Sequence, residues 1–99
     1  MLYMKAPDLL KKASDIMIER GKQYDNEEGE RSMGKCIVAF NSITSHSLTE
    51  AEGWLLLQIL KDVRLFQKKQ YHADSAEDCI AYASLKAEAK STENNLEKE

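Results

Sequence analysis

The sequence predicts an all-α protein, a compact bundle of four helices that self-associates through the third. Three observations carry this. Apolar residues recur at spacings of three and four along most of the chain, no alternating run is long enough for a strand, and only one proline interrupts 99 residues. A chain of this length makes one domain around a single core, set here at residues 1–90 with a polar tail over 91–99.

The first helix is expected over 7–20. Pro7 suits a first-turn position, Leu9, Ala13, Ile16, Met17 and Arg20 follow the helical period, and Gly21 is a natural stop. A second is expected over 32–45. Ser32 can cap it, and Met33, Cys36, Ile37, Phe40 and Ile43 or Thr44 mark its apolar stripe before the polar turn TSHS. The third, over 50–67, opens with Thr49 and Glu52 in capping-box spacing. Its run GWLLLQILKDVRLF holds more apolar bulk than one element of a small bundle needs, which points part of it toward a second copy of the chain, the alternative being a central helix of the monomer buried nearly all round. The fourth, over 75–90, is capped by Asp74 or Ser75 and offers a narrow stripe of Ala76, Cys79, Ile80, Ala83 and Ala87 for close packing. Trp54, Leu56, Ile59, Leu60, Val63, Ile37, Phe40, Ile80 and Ala83 are the expected core. The tail STENNLEKE has one aliphatic residue, Leu96, and frays unless the fourth helix runs on through it.

Composition narrows the function classes. The chain is 42% hydrophobic and 31% charged, with net charge -3, so it lacks the single-sign basic face that a nucleic-acid duplex requires. No window is apolar for long enough to span a bilayer, and MLYMKAPD lacks the uncharged core of a signal peptide. No membrane partner is expected, and the expected location is the cytoplasm. Cys36 and Cys79 are then reduced, and without CxxC or Cys/His spacing they read as small buried thiols.

ERGKQYD, AFNSIT, LTEAEGWLLLQILKDVR and HADSAEDCIAYASLKAE, within Glu19 to Glu88, are similar to the successive blocks of a family of small phage proteins. In that family an Arg-x-x-x-Tyr-like element precedes a helix with an aromatic, a Lys-x-x-Arg helix and an Asp-x-x-x-Tyr-Ala helix. The resemblance implies a phage setting and an all-helical fold, without a reaction. It singles out Arg20, Tyr24, Lys61, Arg64, Asp78 and Tyr82, and Asp25 stands where relatives more often place glycine.

A more distant likeness is to the all-helical nucleoside triphosphate pyrophosphohydrolases, whose paired helical carboxylates bind magnesium. Hard oxygen ligands three or four positions apart share a helix face, but Glu77 and Asp78 are adjacent and diverge by about 100°. One mixed Mg2+ site from Asp62, Asp74, Glu77 and Asp78 is conceivable if the last two helices run antiparallel, with Lys61 and Arg64 equally able to neutralise those acids as ion pairs. His46 and His72 lie in turns without a nucleophile at recognisable spacing, and no phosphate loop is present.

The stretch ERGKQYDNEEGERSMGK gathers acids and bases around Tyr24 between the first two helices. Aromatic rings stack on bases, guanidinium groups grip phosphates, and carboxylates accept from base or ribose edges. Arg20, Lys22, Arg31 and Lys35 are the phosphate candidates, Tyr24 the stacking platform and Asp25 the polar reader, with Lys61 and Arg64 joining from the third helix or a neighbouring subunit. The same charges can instead pair locally in a solvated loop. The leading expectation is a phage protein that binds a nucleotide or cyclic nucleotide, with no cofactor, and sequesters a second messenger of a bacterial defence system without turning it over. Alternatives are the magnesium-dependent pyrophosphohydrolase and a protein-binding inhibitor of a host enzyme. If Tyr24 is the platform, Tyr24→Ala weakens nucleotide binding by roughly 1 to 3 kcal/mol in calorimetric titration and leaves the melting temperature nearly unchanged.

Overall fold

The structure, a computed structural model, describes residues 4–23 and 32–98, so Tyr24, Asp25 and Arg31 lie outside the described residues. It contains four helices, α1 (Ala6–Gln23), α2 (Ser32–Thr44), α3 (Glu50–Gln67) and α4 (Ala73–Lys98), and no strand among the described residues. The all-α architecture expected from the periodicity is what forms. None of the described helices is long and apolar enough to cross a membrane.

Local chemistry fixes the start of α3. Thr49 is the N-cap of α3, its hydroxyl accepting from Glu52 N at 3.1 Å while the Glu52 carboxylate accepts from Thr49 N at 2.8 Å. This reciprocal box satisfies two of the amides that a helix start leaves without partners. Gly21 does not stop α1, which continues to Gln23, because a glycine weakens a helix without obliging it to end. Likewise α4 begins before Asp74 and Ser75. His72 Nδ1 lies 2.5 Å from Ser75 Oγ, and Ala76 N donates to His72 O at 3.2 Å, so the first turn closes around a half-buried His72 and a fully buried Ser75.

Between α2 and α3 the chain turns through Ser45, the one described non-glycine residue in the left-handed region, at φ 61°. Asn41 braces the turn: its Nδ2 donates to Leu48 O and its Oδ1 accepts from Leu48 N, both at 2.9 Å. One side-chain amide thus fills both hydrogen-bonding groups of a loop residue and holds Leu48 against the core.

Packing is sequential. α3 and α4 make the most extensive contact, α1 rests on α4, and α2 rests on α3. At the centre, Trp54 is 5% exposed and stacks on Tyr82 of α4 with ring centroids 5.5 Å apart. Met33, Ile37, Ala51 and Ala89 complete the cluster, with Leu48, Leu57 and Leu85 against it. The α2–α3 approach is close at Gly53, where a Cβ would stand 2.7 Å from Met33 Sδ and 2.8 Å from Ile37 Cδ1. Small residues let helix backbones approach in this way.

Several burial expectations are overturned. Ile37 and Trp54 are buried and Ile80 and Ala83 half-buried, but Phe40, Leu56, Ile59, Leu60 and Val63 are exposed, Leu56 by 62% and Leu60 by 40%. The reason lies in which side of α3 meets α4, since a wide apolar arc does not say which part of it turns inward. Phe40 sits at the edge of α2 and stacks on His46, with centroids 6.0 Å apart. Cys36 is exposed rather than buried, because α2 docks through Met33 and Ile37 and turns Cys36 away. Asn41→Ala leaves Leu48 without either side-chain partner and is expected to cost about 1 to 3 kcal/mol in urea denaturation.

Candidate functional site

The first turns of α4 carry three buried polar residues, Ser75, Glu77 and Asp78. Burial of a carboxylate is costly without a paired charge, and both acids have one. Lys12 of α1 places Nζ 2.6 Å from Glu77 Oε2. That oxygen is buried without an aligned hydrogen bond, so the lysine charge is what offsets its desolvation. Contact with Glu77 and its negative charge raise the pKa of the Lys12 ammonium above its ordinary value.

Asp78 is held by two cations from different helices. Lys61 of α3 lies 2.7 Å from Oδ2 and is largely shielded, whereas Arg20 of α1 reaches Oδ1 at a looser 3.4 Å with its side chain 53% exposed. Asp78 therefore ties α1 and α3 to α4 at one point, with a fixed ammonium on one oxygen and a half-exposed guanidinium on the other. Tyr82, one turn further along the same face of α4, is the ring stacked on Trp54. Of the six residues singled out by the phage-family resemblance, Arg20, Lys61 and Asp78 meet directly.

The other residues expected at a site are placed separately. Lys22, Lys35 and Arg64 are exposed on α1, α2 and α3. Asp62 accepts a hydrogen bond from Cys79 Sγ at 2.9 Å, and Asp74 is exposed. Three of the four acids considered for magnesium are thus held by different partners, Asp62 by a thiol, Glu77 by Lys12 and Asp78 by Arg20 and Lys61. Among the described residues no group of three or more His, Cys, Asp or Glu is placed to hold a metal ion.

Sequence reasoning missed Lys12, which lies on the α1 face that meets α4, and the pairing of Cys79 with Asp62. The legible signal for Lys12 is its place three residues after Leu9 and four before Ile16, both half-buried on α1. Nearby, Lys86 Nζ donates to Gln58 Oε1 at 2.8 Å, so polar contacts run along the whole α3–α4 seam.

Burial, then hydrogen bonding to Asp62, pushes the Cys79 thiol up to about 11. A folded-state value above the unfolded one means that the folded chain holds the proton more tightly. This contribution to stability is fully present below the ordinary thiol range and is lost as pH rises through about 11. Iodoacetamide at pH 8, followed by peptide mass spectrometry, should therefore modify exposed Cys36 well before Cys79. Comparison with protein-family models, with curated proteins and with solved structures finds no match.

Proposed function

We propose that the protein is a nucleotide-binding module that holds its ligand through phosphate contacts and does not turn it over. In a phage setting, which the sequence resemblance supports, such a module sequesters a nucleotide messenger of bacterial defence in the host cytoplasm, and it works as an assembly of identical chains. The observation that carries the reading is the convergence of Arg20 and Lys61 on Asp78. Two cations from different helices are held together by one carboxylate, and the looser of them is half exposed.

Chemically, Asp78 keeps the pair in place before a ligand arrives, and a phosphate oxygen can then engage the solvent-facing side of Arg20 without unseating Lys61. The sequence that follows Gln23, the last residue of α1, carries Tyr24 and Asp25, the residue types that read a base. Neutralisation of Glu77 and Asp78 by Lys12, Arg20 and Lys61 favours anion binding over a magnesium-dependent hydrolysis, because acids already paired are poor ligands for a hard cation.

A thermal-shift panel of mono-, di- and triphosphate nucleosides and cyclic nucleotides, run with magnesium, tests this. The expected outcome is stabilisation by one class of nucleotide, recovered intact by chromatography. Arg20→Gln is expected to weaken that binding about 10- to 100-fold, more sharply at low salt, as fits a lost charge-assisted phosphate contact. Release of pyrophosphate would establish the hydrolase instead, and a panel without any shift would sink the nucleotide reading.

A further inference from the structure

α3 is built with its polar side facing its own bundle. Gln58, Lys61 and Asp62 all reach residues of α4, meeting Lys86, Asp78 and Cys79 respectively. At 100° per residue these positions share the face of Ala51 and Trp54. The opposite arc, about 140° wide and about 16 Å long, consists of Leu55, Leu56, Ile59, Leu60, Val63 and Phe66. All but one of these six are more than two-fifths exposed, the exception being Leu60 at 40%, and Phe66 reaches 84%.

With about 200 Å2 for a fully exposed large apolar side chain, the arc presents on the order of 600 Å2, the upper end of what monomers tolerate in one patch.

We infer that this arc is covered by α3 of a second copy of the chain, packed antiparallel across a two-fold axis near Ile59 and Leu60. Charge placement selects that occupant and that orientation. α3 has Glu50 and Glu52 in its first turn, Arg64 in its last, and Lys68 and Lys69 directly after it. The six arc positions between these ends carry no charge. Antiparallel pairing sets Glu52, on the arc's face of the first turn, toward the bases at the far end of the other copy, twice over, and opposes the helix dipoles, whereas parallel pairing sets like against like. α1 rests on α4 and does not pack on α3, so it leaves the arc open. The inference is independent of the nucleotide reading, since it uses neither Arg20 nor the residues around it.

Sedimentation equilibrium of the full chain at micromolar concentration should return twice the 11.3 kDa of one chain, or an even multiple of it. A single-chain mass, or an odd multiple, would overturn the inference. Ile59→Glu should weaken association at least 100-fold, and an unchanged assembly mass would equally count against it. Because that variant can fail to fold, orientation is read from variants that keep the arc filled. In a Cys36→Ala, Cys79→Ser background, Leu55→Cys chains mixed with Phe66→Cys chains should oxidise to the mixed disulfide. Leu55→Cys chains linking efficiently to themselves would show parallel packing and overturn the arrangement.

Discussion

Everything in this fold hangs on the α3–α4 pairing, and that pairing is centred on Trp54 against Tyr82. Among the described helices α1 packs on α4 and α2 on α3, so the central pair is what joins the two outer helices. The indole is the one large aromatic ring among the described buried residues, and the alanines beside it bring the two backbones close. Burial of that ring concentrates the apolar contribution of the core at one point instead of spreading it along the helices.

Beyond the aromatic centre the seam is polar. Lys61 with Asp78, Asp62 with Cys79 and Gln58 with Lys86 succeed one another along it. Polar contacts of this kind add modestly to stability but penalise any register that leaves one of them without its partner. They therefore act more on specificity than on strength. The same arrangement has a cost for the isolated chain: polar residues at the intramolecular contact send Leu55, Leu56, Ile59, Leu60, Val63 and Phe66 of α3 outward.

The ion-pair cluster at the start of α4 combines structural and chemical roles. Glu77 and Asp78 are buried acids that fold only with cations beside them, and Lys12, Arg20 and Lys61 supply these from two other helices. A carboxylate held in this way is both a tie between elements and a local organiser of positive charge. The looser, half-exposed Arg20 is where structure shades into recognition, because a guanidinium with an incompletely used fork still has donors to offer.

The sequence by itself determined the number and type of the helices and the limits of the first three to within about three residues, because period, capping residues and turn chemistry are local properties; the fourth, expected over 75–90, runs on to Lys98 through the tail expected to fray. The Thr49–Glu52 box is legible from two letters three positions apart. The site was partly legible: Arg20, Lys61 and Asp78 stood out through resemblance, while Lys12 and the Cys79–Asp62 contact did not. Only the tertiary structure decided which side of α3 faces inward. An arc with apolar residues nearly all round satisfies a helical period whichever way it is rotated, so Leu56, Ile59, Leu60 and Val63 read as core in sequence and lie outside in the fold. The rotation was settled by long-range partners, Asp78, Cys79, Tyr82 and Lys86 on α4, and contacts between residues far apart in the chain leave no mark on local spacing.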